Sequence, residues 1–357
     1  MMKVIEKIEL FHVDQPLTVP YHLSYGDVND LSSLWVHIVL SDGGEGWGEC
    51  TPLPGYSDSD LKAVTEYGQY LAKQWIGKIV DVCLNRRFPQ IDGFLYSALY
   101  SALEEACGLI SPIEGAIPLV ALVQEAKGES IREVISAVRQ QGYRVFKMKV
   151  GFQSVEEDRK RIEIYQGELQ ADELLRIDAN QGLALDDAYH LVEVCSPEKV
   201  EVFEQPYKIE MWEESAKLQQ QSAVPIMLDE SITDLASVQK TIDLQAAGAV
   251  KLKLMKQGGF SRLKEMVQAA DAAGLKVIFG NGVAGAVNNR HEAIFWLREL
   301  KQFGLAGELN GFIKVQNPIG TDFIRFESGQ ALVTNRGGNS WEEILRELNA
   351  AQIEWQI

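Results

Sequence analysis

Hydrophobic and polar positions follow two different patterns along the chain, and the point at which the pattern changes divides the chain into two parts. In the first part a period of two gives way to a helical period, an order that is typical of an α+β domain. Short strands are predicted at 1–14, 34–40 and 46–50, followed by helices at about 59–75 and 93–108. We therefore predict a small antiparallel sheet covered by two helices.

From about residue 117 short apolar runs alternate with helical segments, several of which open with a capping residue. Strands are predicted near 117–123, 145–149, 174–178, 200–204, 226–229, 249–253, 276–280 and 306–309. Eight strands with helices between them favour an α/β fold closed as a TIM-like (β/α)-barrel over an open doubly wound sheet. The Gly-rich dinucleotide fingerprint that would favour the open sheet is missing.

After about residue 320 the pattern of hydrophobic and polar positions again resembles that of the first part, and residues 341–349 predict an amphipathic helix. We therefore predict three segments: an α+β capping domain at 1–116, a β/α barrel at 117–320 and a tail at 321–357 that returns to the capping domain. The cap and the tail are expected to pack together over the mouth of the barrel.

Charged residues mark the ends of five predicted strands. They recur about every 25 residues, the length that one strand, one helix and two short loops consume. These residues are Lys147, Lys149, Asp178, Glu204, Asp229 and Lys253. Side chains from several strand ends converge only where the strands close into a barrel, whose carboxyl-terminal face carries the active sites of such enzymes. The spacing therefore predicts an active site at that face.

Composition and net charge exclude several classes of binding partner but do not identify a reaction. A net charge of −17 argues against nucleic acid or an anionic membrane as a partner, since both are polyanions. No apolar run reaches the roughly 18 residues of a membrane span, and the first residues lack the apolar core of a signal peptide. The four cysteines have no CxxC spacing, so neither disulfides nor a zinc site is expected. We expect a cytoplasmic protein that acts on a small carboxylate; homo-oligomerisation stays open.

Six motifs occur in a characteristic order. They are Gly-Trp-Gly-Glu (46–49) with Pro-Leu-Pro-Gly-Tyr-Ser (52–57), Lys-Met-Lys (147–149), Asp-Ala-Asn (178–180), Glu-Gln-Pro (204–206), Asp-Glu-Ser (229–231) and Leu-Met-Lys-Gln-Gly-Gly (254–259). With them the chain resembles the enolase superfamily, specifically its mandelate racemase/muconate lactonizing enzyme branch, over nearly its whole length. The resemblance implies a modified (β/α)7β barrel beneath an enolase N-terminal-like cap.

The resemblance also implies a divalent metal centre, and the chemistry agrees. Removing the proton next to a carboxylate creates a dianionic enediolate, whose charge a divalent cation with hard oxygen ligands can spread. Asp178, Glu204 and Asp229 are the predicted ligands, with Mg²⁺ as the expected ion and Mn²⁺ as the alternative. Asn180 and Glu230 each lie beside a ligand and are predicted to support it by hydrogen bonds, or else to cap helices.

Lysines are the predicted acid/base groups. In the resembled branch the second lysine of the Lys-Met-Lys pair carries the proton and the first assists it electrostatically, which assigns these roles to Lys149 and Lys147. The match to the Lys-Leu-Met-Lys pattern places Lys253 on the opposite face of the substrate. Whether Lys251 or Lys256 has a role stays open; Lys251 shares the inward parity of Lys253 and is a candidate partner for a barrel acid.

In the resembled branch, the mandelate racemase subgroup has a histidine at the end of the seventh strand. This chain has none at that position, so the resemblance favours the muconate lactonizing enzyme subgroup. His291 falls in a later helix and is expected on its surface. Substrate contacts are predicted from Asn281, Glu308 and Asn310 at strand ends, and from loops at about 20–30 and 50–57. These loops, or linkers in the alternative interpretation, contribute Tyr25 and Tyr56.

The predicted activity is metal-dependent abstraction of the α-proton of a carboxylate, as a racemase, epimerase or cycloisomerase. β-Elimination by an o-succinylbenzoate synthase is the alternative on the same scaffold. Glu308-Leu309-Asn310 has one acid where dipeptide epimerases have two, which puts an ammonium-bearing dipeptide in doubt. Two further interpretations are a Schiff-base aldolase with Lys149 or Lys253 as the nucleophile, and a barrel that binds without catalysis.

Overall fold

The computed structural model describes residues 2–23, 26–53, 57, 59–85, 93–125, 130–281, 284–316, 319, 323–334, 346, 348 and 355–356. Within these residues the chain forms an antiparallel cap sheet with helices and a parallel, curled sheet surrounded by helices. An α/β barrel with an N-terminal cap is therefore the architecture.

The cap sheet begins with two long strands that form one hairpin. Strand β1 (Ile5–Leu23) pairs with β2 (Gly26–Leu40), which pairs with the short β3 (Glu45–Cys50). The prediction of a loop at 20–30 is therefore wrong, because the two strands stay paired from Tyr21 with Val28 to Leu23 with Gly26.

Three helices follow the cap strands: α1 (Leu61–Trp75), α2 (Val80–Leu84) and α3 (Gly93–Ala106). Helix α3 lies directly on β3 because two glycines of that strand leave room for its backbone. A Cβ atom at Gly46 would meet the carbonyl oxygen of Ala102, and one at Gly48 would meet that of Ala98. The Gly-Trp-Gly sequence therefore sets how closely the helix can approach the sheet.

Next comes a short strand, β4 (Gly115–Pro118), and then the seven parallel strands of the barrel sheet. They are β5 (Val120–Leu122), β6 (Val145–Lys149), β7 (Leu174–Asp178), β8 (Val200–Glu204), β9 (Ile226–Leu228), β10 (Ala249–Leu252) and β11 (Lys276–Phe279). The order in space equals the order in sequence. Six of the eight predicted strands, from the second to the seventh, are thus confirmed.

Helices cover the outside of the barrel sheet. They are α4 (Ile131–Gln140), α5 (Val155–Glu168), α6 (Leu185–Val192), α7 (Trp212–Gln221), α8 (Leu235–Leu244), α9 (Leu254–Gln257), α10 (Phe260–Ala272) and α11 (Ala286–Phe295). A π-helical turn at Trp296–Leu300 extends α11, and 3₁₀ turns lie at Lys301–Phe303 and Gly311–Ile313. Several helices are predicted to open with a capping residue, and α5 does so, since Ser154 and Glu157 form a reciprocal capping box.

The first and last predicted barrel strands differ from the prediction. The stretch 117–123 is split, because β4 belongs to another sheet and only β5 lies in the barrel. Residues 306–309 form no regular strand in the described structure, but they fill the eighth position. Gly307 bridges Leu119 in parallel, and the Glu308 amide donates to the Phe279 carbonyl at 3.0 Å. Backbone contacts on both sides therefore close the ring.

The last strands return to two places. Strands β12 (Ile324–Glu327) and β13 (Gln330–Val333) form a hairpin that pairs with β4. Strand β14 (Trp355–Gln356) pairs antiparallel with β1 in the cap sheet. Most of the predicted helix at 341–349 lies outside the described residues; of it only 346 and 348 are described, both helical.

Candidate active site at the barrel mouth

The predicted site residues stand at the carboxyl ends of five successive parallel strands. Lys149 ends β6, Asp178 ends β7 and Glu204 ends β8; Asp229 and Lys253 directly follow β9 and β10. In the sheet register Lys149 pairs with Asp178, and Asp178 pairs with Glu204. The backbone therefore presents all of them at one edge of the barrel.

Lys147 connects two of the predicted metal ligands. Its Nζ lies 2.9 Å from Asp178 Oδ2, 2.8 Å from Glu204 Oε2 and 3.3 Å from Glu308 Oε2. Burial by itself would lower the pKa of Lys147, but the three carboxylates hold it well above its usual range. These contacts favour the charged form of Lys147.

Two further lysines reach the same carboxylates from β10. Lys251 Nζ lies 2.6 Å from Glu204 Oε1 and 2.9 Å from Glu308 Oε2, and Lys253 Nζ lies 2.7 Å from Asp229 Oδ2. Burial would raise the pKa of Asp229, yet the charges of Lys253 and Lys251 hold it below its usual range. Burial and the charge of Asp178 raise the pKa of Glu204 to about 8. Amines and carboxylates thus alternate across the mouth.

This alternation determines how the three acids could hold a metal. In the described part of the chain, no three His, Cys, Asp or Glu side chains are gathered closely enough to form a metal site by themselves. The donor set nevertheless suits a hard divalent ion. Carboxylate oxygens are the ligands that Mg²⁺ prefers, and Asp229 Oδ1 is buried without a hydrogen bond to the described residues, while its Oδ2 is bonded to Lys253. Glu204 contacts Lys251 through Oε1 and Lys147 through Oε2. Asp229 therefore keeps one oxygen with which it could bind an ion, whereas an ion at Asp178 and Glu204 would share their oxygens with the lysines.

Lys149 occupies a different environment from Lys147. Its side chain is half-buried, and its ammonium makes no hydrogen bond or ion pair with the described residues. Its strand β6 and the strand of Lys253, β10, are separated by β7, β8 and β9. In a ring of eight positions, strands four steps apart lie on opposite sides, so the strand ends that carry the two lysines lie across the mouth from each other.

The predicted supporting residues contact each other and the acids. The backbone amide of Asn180 donates to Asp178 Oδ1 at 2.9 Å, and the side-chain Nδ2 of Asn180 donates to Glu230 Oε1 at 3.3 Å. Asn180 has a φ of 41°, in the left-handed region that asparagine tolerates better than most residues. This turn points the backbone amide back at the carboxylate that precedes it.

Gln205 is a supporting residue that the sequence analysis missed. Its Oε1 accepts hydrogen bonds from the backbone amides of Asp229 (2.9 Å) and Ser231 (3.3 Å), and its Nε2 donates to Ser231 Oγ at 2.9 Å. The side chain thus fixes the turn that carries Asp229 relative to the end of β8. The Glu-Gln-Pro motif contained this residue, but only the neighbouring strand shows its role.

The residues predicted to contact substrate have mixed environments. Glu308 is held by Lys147, Lys251 and Arg176, whose Nη1 is 3.6 Å from Glu308 Oε1. Asn281 donates to Glu292 at 2.7 Å, and Asn310 is half-buried at the start of a 3₁₀ turn. Tyr25 and Tyr56 lie outside the described residues. The substrate roles of all five stay predictions.

Arg176 and Glu201 form an ion pair beneath the site. The alternation of side chains along a regular strand does not predict this pair. Arg176 Nε donates to Glu201 Oε2 at 2.5 Å, and the guanidinium is fully buried. Glu201 and Glu204 are three residues apart, so in a regular strand they would face opposite sides. A register irregularity in β8, where Arg176 pairs with Val202 after Leu175 has paired with Val200, turns Glu201 inward.

Lys314 is another residue the sequence analysis missed. It follows the 3₁₀ turn after the eighth position, and its backbone carbonyl accepts hydrogen bonds from the amide and the hydroxyl of Thr18 in β1. Burial lowers the pKa of Lys314 to about 8; the charge of Glu308 opposes this effect and that of Lys149 adds to it. A cationic group therefore lies near Lys149 where the cap meets the barrel.

A second buried ionic cluster, the cap–barrel junction, joins β3 and α3 to helix α11. Glu49 accepts hydrogen bonds from the backbone amides of Gly285 and Asn288 at the start of α11. Glu105 binds Arg290 and His291, whose Nε2 lies 3.1 Å away. The predicted surface position of His291 is therefore wrong: only 1% of the residue is exposed, because the cap covers this side of α11.

Comparisons with known proteins agree with this fold. Residues 129–339 match the family profile described as enolase C-terminal domain-like. Residues 6–86 match the profile of the mandelate racemase / muconate lactonizing enzyme, N-terminal domain. No described helix has both the length and the apolar character needed to cross a membrane.

Individual proteins are similar over most of the chain. The D-Ala-D/L-Ala epimerase of Cytophaga hutchinsonii is 26% identical over 78% of this chain and 79% of its own. The N-succinyl-L-Arg/Lys racemase of Bacillus cereus is 27% identical over 98% of each chain. The structure of muconate lactonizing enzyme from Pseudomonas putida has a TM-score of 0.82 at 23% identity, covering 98% of this chain and 100% of that one. The last similarity shows the shared fold.

Proposed function

Since the chain belongs to the mandelate racemase/muconate lactonizing enzyme family of the enolase superfamily, we propose that it racemises or epimerises a carboxylate substrate without a free ammonium group. Membership establishes the coarser statement: the chain is an isomerase-type enzyme with racemase, epimerase or cycloisomerase chemistry, in a family that generally depends on a divalent metal. The ion, which we propose to be Mg²⁺, and the substrate class belong to the proposal.

One observation carries the proposed reaction. The strands of Lys149 and Lys253 are four steps apart in the ring, and Asp178, Glu204 and Asp229 end the three strands between them. A substrate carboxylate held by the ion that these three acids would bind would therefore have one lysine at each face of its α-carbon. Two opposed acid/base groups are what a 1,1-proton transfer needs, because the proton leaves on one face and returns on the other.

The residues divide the work as follows. One lysine, as a neutral amine, takes the α-proton, and the other, as an ammonium, delivers a proton to the opposite face. Lys147 remains charged and adds positive potential beside Asp178 and Glu204. When bound by the three acids, Mg²⁺ would supply Lewis-acid stabilisation of the negative charge that develops on the substrate carboxylate.

Charge at the eighth position supports a substrate without an ammonium group. Glu308 would be the acid to bind such a group, but three cations already surround it, and together they hold its pKa below the usual range although burial opposes them. The second acid expected for ammonium binding is replaced by Asn310, and Lys314 adds a positive charge nearby. An N-acylated amino acid, whose nitrogen is uncharged, fits these surroundings better than a dipeptide. The racemase from Bacillus cereus acts on substrates of that kind by its name.

Cycloisomerisation of an unsaturated dicarboxylate is the second candidate, supported by full-length similarity to a muconate lactonizing enzyme. It would use the same acids and one of the two lysines. β-Elimination by an o-succinylbenzoate synthase is not favoured, because the related proteins reported above are an epimerase, a racemase and a lactonizing enzyme.

Proton exchange tests the proposal directly. The protein with Mg²⁺ is incubated in D₂O with N-succinyl and N-acetyl amino acids, with dipeptides of matching side chains, and with cis,cis-muconate. Loss of the α-proton signal in the proton NMR spectrum is expected for N-acyl substrates of both configurations. Exchange confined to dipeptides would contradict the substrate class, and conversion of muconate alone would favour the second candidate.

A further inference from the structure

Lys251 is a buried cation inside the candidate metal centre that the proposed reaction does not use. It lies on β10 two residues before Lys253, and only 1% of it is exposed. Its stem passes Gly280, the residue after β11, where a Cβ atom would come within 2.7 Å of Lys251 Cε and 2.9 Å of its Cδ. The glycine thus leaves the space through which the lysine reaches the mouth.

The Lys251 ammonium stands between two predicted metal ligands. It binds Glu204 Oε1 at 2.6 Å and lies 3.7 Å from Asp229 Oδ2, and Glu308 Oε2 holds it at 2.9 Å. A dication bound by Glu204 and Asp229 would therefore share both carboxylates with an ammonium. Two like charges on the same ligands repel each other, and the repulsion is strong where water is excluded.

We infer that Lys251 is a built-in cation that weakens the affinity of the three-acid centre for its divalent ion. Glu204 is thereby held by two ammonium groups, Lys251 at Oε1 and Lys147 at Oε2. The inference deepens the proposed function and rests on it, because it concerns the metal centre that the function requires. The charge of Lys251 also makes the metal centre less negative overall, which favours the binding of an anionic substrate.

A purely structural role makes the opposite prediction. If Lys251 only satisfied Glu204 and Glu308, its removal would release both side chains and disorder a ligand, so metal affinity would fall. If Lys251 competes with the ion, its neutralisation would leave the ligand set more negative, so metal affinity would rise. The direction of the change in affinity therefore separates the two roles without measuring turnover.

The experiment measures Mg²⁺ binding to the full chain by titration calorimetry. In Lys251→Met, which keeps the length of the stem without the charge, we expect the Kd to fall by at least roughly tenfold, about 1.4 kcal/mol. Lys251→Gln is the second variant, since its amide can still donate to Glu204 if the methionine variant does not fold. Circular dichroism establishes that each variant is folded before titration.

Two controls make the result specific. Lys264→Met removes one charge from the exposed Lys264–Glu299 pair and is expected to leave the Kd unchanged, while Lys251→Arg keeps a cation in place and should not tighten binding. An unchanged or larger Kd in both neutral variants would overturn the inference and leave the proposed function intact. Absence of Mg²⁺ binding by the unsubstituted chain would overturn the metal centre on which both rest.

Discussion

The barrel mouth and the cap–barrel junction are both buried ionic clusters, yet their carboxylates are satisfied in different ways. At the junction, both oxygens of Glu49 accept hydrogen bonds, Oε1 from the Gly285 amide and the Thr51 hydroxyl and Oε2 from the Asn288 amide. At the mouth, Asp229 Oδ1 has no hydrogen bond to the described residues, and Glu204 is held through both oxygens by lysine ammonium groups.

The difference indicates that the junction holds the cap and the barrel together, whereas the mouth is suited to binding and catalysis. A buried carboxylate with all its oxygens bonded holds two elements in place, whereas one with an unbonded oxygen stays costly until something else binds there. The mouth also contains three lysines among its acids, while neutral amides and backbone groups supply many of the donors at the junction. We therefore expect substitutions at the mouth to change binding and catalysis, and substitutions at the junction to change stability.

The largest expected effect is on proton exchange in Lys253→Ala. Without the second acid/base group, exchange of one enantiomer should slow by about a thousandfold, while that of the other continues. Proton NMR in D₂O with separate enantiomers measures both rates. Lys149→Ala is the matched variant and should show the reverse preference. Equal rates for the two enantiomers in Lys253→Ala would show that Lys253 is not the second acid/base group.

Metal affinity should fall strongly in Asp229→Asn. The substitution removes the charge of one predicted ligand with almost no change of shape, so Mg²⁺ should bind at least about 100-fold more weakly. Titration calorimetry measures the affinity, and circular dichroism monitors the fold. Asp243→Asn, an exposed position on the following helix, is the control. Unchanged Mg²⁺ affinity in Asp229→Asn would refute the ligand assignment.

Stability should respond at the junction instead. Glu49→Ala leaves the amides of Gly285 and Asn288 unpaired in a buried place, so the free energy of unfolding should fall by about 2 kcal/mol. Chemical denaturation measures the loss. Glu45→Ala, at an exposed position of the same strand, should change stability little. A large loss of Mg²⁺ affinity in folded Glu49→Ala would contradict the separation of the two clusters.

The smallest expected effect is the pH dependence of stability caused by Lys314. Its pKa in the folded protein is about 8 and its ordinary value is 10.5, so between these values the unfolded chain binds more protons. Stability should therefore rise as the pH increases through this window. Because the side chain is only half-buried, the contribution should be no more than about 1 kcal/mol.

Denaturation at several pH values compares the protein with Lys314→Gln. The rise in the free energy of unfolding between about pH 8 and pH 10 should be smaller in the variant. Lys301→Gln, which removes a charge at an exposed position, should keep the full rise. Parallel pH profiles for the protein and Lys314→Gln would show that Lys314 is not the cause.

Local spacing was enough to predict most of the mouth. Because parallel strands end at one edge, charged residues recurring at the length of a β/α unit had to converge there, which brought Asp178, Glu204 and Lys253 together. Inward parity also marked Lys251 as a partner for a barrel acid, and it binds Glu204. By contrast, the inward turn of Glu201 depends on a register irregularity that period-two reasoning cannot anticipate.

Contacts between distant segments set the limit of such reasoning. His291 has the neighbours of an ordinary helix residue, and only the cap lying on α11 makes it buried and bonded to Glu105. In the same way, nothing near Lys314 in sequence indicates that Lys149 is its neighbour in space.

The sequence by itself determined the type of fold, the family and which side chains end the barrel strands, because each follows from short-range periodicity or from contiguous motifs. The tertiary structure alone decided which oxygens are bonded and which remain unbonded, where the ammonium of Lys251 lies and what the cap buries. Those properties depend on side chains that meet from segments far apart in the chain, and no local pattern encodes their distances.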